Sequence, residues 1–248
     1  MLEVKSISKN FGGLKAVNEA SLKVNEGQIV SLIGPNGAGK TTLFALISGF
    51  LKPTEGQVFF EGADITGQQP HNICQSGLVR TFQVVQPFAN LNVIENIAVG
   101  AHTRYAKRAD ALAKAAEVAT LVGMADKLEQ SAGDLTIAGR KRLELARALA
   151  TEPRLLLLDE VMAGLNATEI RELVNVIRQI RDSGVTILLI EHVMQAVMSL
   201  SDYTYVLNHG AMIANGTPQE VTREPHVIEA YLGHGAAERL AKMETSDA

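Results

Sequence analysis

Residues 34–41 read GPNGAGKT and are followed by Thr42, which satisfies the phosphate-binding motif G-x-x-x-x-G-K-[ST] at each fixed position. An apolar run, Ile29 to Ile33, precedes the motif, and a helix-like stretch begins at Thr42. Glycine lets the backbone approach phosphate oxygens, and successive N–H groups at a helix N-terminus bind anions. Lys40 is predicted to reach the outer phosphates and Thr41 to ligate Mg²⁺. The predicted nucleotide contacts are Gly34, Pro35, Asn36, Gly37, Ala38, Gly39, Lys40, Thr41 and Thr42.

Length and charge limit the classes of protein to consider. The 248 residues suit one large α/β domain with an inserted subdomain. The net charge of −4 argues against a nucleic-acid partner, and the single cysteine excludes an internal disulfide. No leader-like segment opens the chain, and no apolar run approaches the ~18–20 residues that span a bilayer. We therefore expect any membrane-spanning part to come from other subunits.

Short apolar runs alternate with helical patterns along the chain. The run 155–158 and the run 185–190 are typical of strands buried on both faces of a parallel sheet. Early strands are expected near residues 2–7 and within 24–33, where a turn at 26–27 precedes the strand that feeds the phosphate loop. Helical patterns lie at 92–122, 138–150 and 194–200. This alternation predicts an α/β fold, a mostly parallel sheet with helices on both faces. The predicted division is a nucleotide-binding core at 1–85 and 151–232, an inserted helical subdomain at 86–150, and a flexible tail at 233–248.

Two carboxylates, Asp159 and Glu160, directly follow the run of four leucines. The carboxyl end of a parallel strand lies at the edge of the sheet where ligands bind, and the phosphate loop is expected at the same edge. One of these carboxylates can hold Mg²⁺, through water or directly, while its neighbour points at an attacking water.

Together these residues resemble the ATP-binding subunit of an ATP-binding-cassette (ABC) transporter, from about Leu2 to Gly233. The resemblance implies a P-loop nucleotide-binding core with an additional antiparallel β region, ATP and Mg²⁺ as ligands, and ATP hydrolysis. It implies that Phe11 stacks on adenine and that Gln83 senses Mg²⁺ and γ-phosphate and contacts the membrane partner. The residues implied in catalysis are Lys40, Gln83, Glu160 and His192, the last as the switch histidine, and Asp159 is implied to hold Mg²⁺.

The same resemblance places the family's signature loop at residues 135–139, which read LTIAG where the family usually has LSGGQ. Thr136, Ala138 and Gly139 are implied to contact the nucleotide of a second cassette subunit in a head-to-tail dimer. Asn166 stands where many members carry aspartate. We expect neither departure to impair this chain's own hydrolytic residues.

Within the family, the stretches RTFQ, NVIENI, RLELARALA, AGLN and VIEAYLG resemble the ATPases of branched-chain amino-acid importers. That group implies transmembrane permeases, a second ATPase subunit, an external substrate-binding protein and a location at the cytoplasmic face of the inner membrane. An ATPase for lipid or lipopolysaccharide export is an alternative. A soluble cassette ATPase without a membrane partner is a second one.

Overall fold

The computed structural model describes residues 1–83 and 86–232, so the predicted tail at 233–248 lies outside the described residues. The strands are β1 (Leu2–Phe11), β2 (Leu14–Val24), β3 (Ile29–Ile33), β4 (Glu55–Phe60), β5 (Ala63–Asp64), β6 (Leu78–Arg80), β7 (Leu155–Asp159), β8 (Thr186–Ile190), β9 (Tyr203–Asn208) and β10 (Ala211–Gly216). The helices are α1 (Lys40–Ile47), α2 (Pro70–Gln75), α3 (Val93–Ala101), α4 (Arg108–Leu121), α5 (Ile137–Leu149), α6 (Ala167–Asp182), α7 (Met194–Leu200), α8 (Pro218–Val221) and α9 (Pro225–Leu232). Short 3₁₀ turns lie at Ala125–Lys127 and Ala132–Asp134.

A six-stranded sheet forms the centre of the molecule in the order β10-β9-β3-β8-β7-β6. Its neighbouring strands are parallel except for β9 and β10, which are antiparallel. Every residue of β3, β7 and β8 is buried, as expected for apolar strands that are covered on both faces. The predicted α/β fold with a mostly parallel sheet is confirmed. The carboxyl ends of these strands carry the phosphate loop, the paired carboxylates and His192.

A second sheet is antiparallel, in the order β2-β1-β4-β5. Its apolar side chains, including Val4 and Val58, join one core cluster with Phe44 of α1 and with Leu157 of the parallel sheet. The sequence predicted the start of β1 but not β2, because polar residues interrupt the apolar pattern of that strand. This sheet matters for the site because Phe11 lies at the end of β1.

Three helices, α3, α4 and α5, follow β6 and precede β7 along the chain. Their buried side chains form one cluster with the other face of the parallel sheet, through Ile97, Ala115, Leu145, Leu156 and Leu189 among others. The single helical stretch expected at 92–122 is wrong in detail, because residues 102–107 separate α3 from α4. The limits of the inserted subdomain, 86 and 150, stay a prediction.

No helix within residues 1–83 and 86–232 has both the length and the apolar character that crossing a membrane requires.

Candidate active site

The phosphate loop leaves β3 at Gly34 and enters α1 after Gly39, the N-cap residue. Both glycines have a positive φ, 152° at Gly34 and 104° at Gly39. A Cβ at Gly34 would lie 2.0 Å from the backbone oxygen of Leu207, and one at Gly39 would lie 2.4 Å from that of Ala16. The loop therefore needs glycine at both positions for its backbone angles and for its packing against neighbouring backbone.

Lys40 is folded back into the loop that precedes it. Its ammonium donates hydrogen bonds to the backbone oxygens of Gly34, at 2.7 Å, and of Pro35, at 3.0 Å. The residue is only 5% exposed, and burial lowers the pKa of Lys40, an effect that Glu160 and Asp159 partly offset. A phosphate oxygen at this loop would replace two neutral carbonyl acceptors with a charged one, which makes a stronger hydrogen bond.

An open cleft of about 460 Å³ lies on one side of the loop, between the loop and the end of β1. Phe11 lines this cleft with 46% of its surface exposed, and the ammonium of Lys9 lies 5.3 Å from the centre of its ring. The remaining lining residues are Leu14, Lys15, Ala16, Asn36, Gly37, Ala38, Gly39, Lys40, Thr41, Thr42, Glu160, His209 and Gly210. An exposed ring beside the loop has the position that base stacking requires.

On the other side of the loop, Gln83, Glu160 and His192 border a second cleft with Gly34, Pro35, Asn36 and Gly37. Gln83 Nε2 donates to one carboxylate oxygen of Glu160, and His192 Nε2 lies 2.5 Å from the other. The structure thus brings together three of the four residues implied in catalysis. The fourth, Lys40, lines the first cleft, which also contains Glu160.

The backbone of Glu160 is held as firmly as its side chain. Its φ of 50° is left-handed, which is uncommon for a residue with a side chain and costs conformational energy. Its N–H donates to Ile190 at 3.0 Å, and its backbone oxygen accepts from the ammonium of Lys141, also at 3.0 Å. Contacts from β8 and α5 therefore set the direction of the carboxylate.

Asp159, at the end of β7, is fully buried and pairs with Arg80 at the end of β6, at 2.8 Å between Nη2 and Oδ2. Burial raises the pKa of Asp159, against the opposing effect of Arg80. Oδ1 of Asp159 has no hydrogen-bond partner among the described residues. Thr41, Gln83 and Asp159 line one cavity, and their hydroxyl, amide and carboxylate oxygens are the ligands that Mg²⁺ prefers. The residues present fit a magnesium ion.

The predicted signature residues lie at the start of α5 and line none of these three cavities. Thr136 is the N-cap of α5, and its hydroxyl accepts from the N–H of Gly139 at 3.2 Å. Ile137 is 64% exposed. Gly139 has Leu135 and Thr136 close around it, 3.3 Å and 3.4 Å from where its Cβ would be. Within one chain, Thr136, Ala138 and Gly139 are thus separate from the phosphate loop.

Asn166 is the N-cap of α6 and forms a capping box with Glu169. The Asn166 oxygen accepts from the N–H groups of Thr168 and Glu169, and the Glu169 carboxylate accepts from the N–H of Asn166. Asparagine and aspartate cap helices equally well, so this departure keeps its local structural role.

Sequence reasoning missed Glu191, a buried carboxylate between the two halves of the site. Its side chain accepts from the N–H of Met162 at 2.9 Å and from that of His192 at 3.3 Å. It therefore joins the loop after Glu160 to the switch histidine. Glu191 directly follows an apolar strand, as Asp159 and Glu160 do, so the same reasoning would have found it.

Tyr231 is a second residue that was missed, on α9. It borders the cleft of Gln83, Glu160 and His192, which Gly34 also lines. Loss of solvent raises the pKa of Tyr231 to about 12. No signal in the sequence joins residue 231 to residue 34, because only the packing of α9 brings them together.

Comparison with known families gives two matches. Residues 17–163 match the ABC transporter family, and residues 211–237 match a family described as branched-chain amino acid ATP-binding cassette transporter. The chain belongs to the ABC transporter family of ATP-binding subunits. Proteins of this family hydrolyse ATP in support of transport, so the predicted ATPase activity is confirmed.

Similar proteins cover almost the whole chain. The high-affinity branched-chain amino acid transport ATP-binding protein BraF of Pseudomonas aeruginosa is 43% identical in an alignment 250 positions long, which covers 94% of this chain and 98% of BraF. LivG of Escherichia coli K12, named in the same way, is 42% identical over 249 residues with the same coverage. A solved ADP conformation of an ATP-binding cassette of an ABC transporter superposes with a TM-score of 0.86 at 33% identity, covering 94% of this chain and 99% of that one. This ABC subunit therefore binds nucleotide.

Proposed function

We propose that this chain is one of two ATPase subunits that power the import of branched-chain or related amino acids. It works at the cytoplasmic face of the cell membrane, bound to transmembrane permease subunits that receive their cargo from an external substrate-binding protein. The observation that carries this assignment is the match of residues 211–237 to the branched-chain amino acid family. The names of BraF and LivG support the same substrate class.

In the proposed reaction, the phosphate loop binds the β- and γ-phosphates of ATP and Lys40 pairs with them. Glu160 orients the attacking water and accepts its proton, while Gln83 and His192 fix the position of that carboxylate. The two contacts on the Glu160 side chain support this role, because each of its carboxylate oxygens is held by one of these two residues. Positioning and charge neutralisation supply most of the catalysis in phosphoryl transfer.

Thr41, Gln83 and Asp159 would hold the Mg²⁺ that accompanies ATP. When bound, this ion supplies positive charge to the phosphate oxygens. The buried oxygen Oδ1 of Asp159 supports the assignment, since no donor among the described residues reaches this acceptor.

The signature residues Thr136, Ala138 and Gly139 are assigned to the nucleotide of a second cassette subunit. Their separation from the phosphate loop of the same chain supports a dimer in which each subunit completes the site of the other. The capped N-terminus of the 13-residue helix α5 offers backbone N–H groups suited to phosphate.

A permease is proposed to dock beside Gln83. The cavity there, of about 580 Å³, is lined by Phe82, Gln86, Phe88 and Arg147 among others. Phe50, Phe82 and Phe88 are 50%, 44% and 47% exposed. Exposed apolar side chains rimmed by polar ones are typical of a protein interface, and the adjacent Gln83 would pass the state of the nucleotide to the permease.

The test is uptake of labelled leucine, isoleucine and valine in a strain that lacks this chain. We expect wild type to restore uptake and Glu160→Gln to fail. Glu169→Gln is the matched control: it makes the same change of side chain outside the site, and glutamine can replace glutamate in a capping box. Affinity purification of the Glu160→Gln protein from the membrane with ATP and Mg²⁺ should recover two permeases and a second, distinct ATPase.

Different failures of this test have different meanings. Normal uptake of all three amino acids in the deletion strain, with loss of uptake of another solute, would contradict the substrate class alone. Recovery of a homodimer with lipid-export permeases would instead support the exporter. Purification without any membrane protein would contradict the role in transport.

A further inference from the structure

Arg80 and Asp159 form an ion pair that lies almost entirely out of solvent. The exposed fractions of the two side chains are 8% and 0%, and they are 2.8 Å apart. β6 and β7 are parallel neighbours, so both side chains come from the same end of the sheet. Each residue of the pair has one buried polar atom without a hydrogen bond. These atoms are Nε of Arg80 and Oδ1 of Asp159, which have no partner among the described residues. The pair is therefore incomplete on both sides.

Three aromatic rings surround the same guanidinium. Its central carbon lies 5.9 Å from the ring centres of Phe44 and Phe50, and 5.6 Å from that of Phe82. Phe50 and Phe82 pack edge to face, with centres 5.4 Å apart. Rings at this distance attract a cation, most strongly when it is desolvated. Arg80 thus has a favourable environment that does not depend on Asp159.

We infer that Arg80 is the counter-cation of Asp159 in the metal-free protein and that Mg²⁺ competes with it for this carboxylate. The inference rests on the proposed role of Asp159 in holding Mg²⁺. Two cations that share one buried carboxylate each weaken the binding of the other, and this coupling is reciprocal. When Mg²⁺ takes the carboxylate, the guanidinium shifts toward the rings, where cation–π attraction retains it.

The contacts of Arg80 and of the residues that follow it can transmit the shift of its guanidinium to the rest of the site. Phe82 contacts Arg80, and Gln83 follows it directly in the chain. Thr81, between Arg80 and Phe82, is tied to β7: its hydroxyl donates to Leu157 and accepts from the N–H of Asp159. Arg80 is therefore a positioning residue that links occupancy of the metal site to the segment beginning at Phe82.

A fluorescent reporter tests the movement directly, because the chain contains no tryptophan. Phe82→Trp puts a single indole against Arg80, and we expect its emission to change when Mg²⁺ is added to the ADP-bound protein. Phe59→Trp is the matched control. Phe59 also lies against a cation, with its ring centre 4.7 Å from the ammonium of Lys5, but it does not line the metal cavity. Equal responses of the two reporters, or none from Phe82→Trp, would overturn the inference.

A thermodynamic cycle tests the competition. The apparent dissociation constant of Mg²⁺ is measured with saturating ADP, from thermal stabilisation at pH 8, for wild type and Arg80→Met. Removing the competing cation should tighten Mg²⁺ binding on the order of tenfold. Arg154→Met is the control and should leave the constant unchanged. Arg154 also lies near a ring, that of Phe60, and pairs with Glu61, but it does not line the metal cavity.

The outcomes separate this inference from the proposed function. If Mg²⁺ fails to stabilise even the ADP-bound wild type, the proposed metal site is wrong, and the inference falls with it. If Mg²⁺ stabilises wild type and Arg80→Met equally, Arg80 has only a structural role and the metal site stands. Weaker Mg²⁺ binding in Arg80→Met would mean that Arg80 assembles the site and would also overturn the inference. If Arg80→Met does not fold, the Phe82→Trp reporter still decides the question.

Discussion

The ammonium of Lys141, on the signature helix α5, donates a hydrogen bond to the backbone oxygen of Glu160 at 3.0 Å. Lys141 is only 8% exposed, and burial lowers the pKa of its ammonium against the opposing effects of Glu191, Glu160, Asp159 and Glu144. This contact is within one chain, whereas the signature loop is assigned to a second subunit. It ties the helix that is proposed to contact the neighbouring nucleotide to the residue whose carboxylate is proposed to activate water.

Lys141→Met should reduce both stability and turnover. It removes a charged donor from the left-handed backbone at Glu160, so we expect a loss of about 1–3 kcal/mol in the free energy of unfolding. A loosened Glu160 should lower kcat by roughly tenfold or more, because small displacements of a catalytic group are costly. Urea unfolding and phosphate release measure the two effects. Lys114→Met is the control, since Lys114 pairs with Glu117 and Glu152, which lie outside the site. Unchanged kcat in Lys141→Met would show that the contact does not position Glu160.

Glu160→Gln should separate nucleotide binding from hydrolysis. Glutamine can keep a contact with Gln83 or His192 but cannot accept a proton from water, so turnover should fall by about 10²–10⁴-fold. ATP affinity, measured with a fluorescent analogue, should change little. Hydrolysis at the wild-type rate would mean that another group is the general base.

Lys40→Met should abolish the stabilisation that nucleotide gives to the protein. At a nucleotide concentration near 100 times the wild-type Kd, we expect wild type to gain about 2.7 kcal/mol and the variant almost nothing. Without nucleotide the variant should stay folded, because the substitution also removes a cation whose burial is costly. Thermal unfolding with and without ATP makes the comparison. Equal shifts in the two proteins would exclude Lys40 from phosphate binding.

The stability of wild type relative to Glu191→Gln should depend on pH. Burial raises the pKa of Glu191 above its ordinary value near 4.5. A carboxyl with a higher pKa in the folded state binds its proton more tightly when folded. The free energy of unfolding of wild type minus that of the variant therefore falls as the pH rises, first through the pKa of Glu191 in the unfolded chain and then through its higher pKa in the folded protein. Above the folded pKa this difference is constant.

Urea unfolding of both proteins across this range tests the sign. Any cost that does not depend on pH, such as a glutamine N–H₂ facing the N–H of Met162, cancels when two pH values are compared. A stability difference that is flat with pH, or that rises with it, would contradict the prediction.

Asn166→Ala should destabilise the fold by about 1 kcal/mol, because it removes the side-chain acceptor for two N–H groups at the start of α6. Asn166→Asp should keep the cap and have little effect on stability, since the two residues cap equally well. Urea unfolding of both variants measures these changes in stability. If Asn166→Asp were as destabilising as Asn166→Ala, the asparagine amide would have a role beyond the cap.

Much of the fold could be predicted because the governing signals are local. The strand at 29–33 was predicted with the limits the structure has, and those at 155–158 and 185–190 lie within one residue of β7 and β8. α7 begins and ends where the apolar pattern predicted. β6 was missed, because three residues are too few to show a period, although it carries Arg80. The break between α3 and α4 was missed because it has no strong breaker residue; backbone turns at Thr103 and Arg104 form it.

The candidate site likewise has features that local sequence predicts and features that it does not predict. Local sequence patterns were enough to identify the available groups: a glycine-rich loop at a helix start, a lysine, two carboxylates after a buried strand, and a histidine after another. These depend on covalent neighbours and on periodicity within a few residues. Three other relationships appear only in the folded chain. Arg80 pairs with Asp159, 79 residues away, Lys141 bonds to the backbone of Glu160, and Tyr231 borders the same cleft as Gly34. Such contacts follow from the order of strands in the sheet and from how helices pack on it, and no local pattern encodes either.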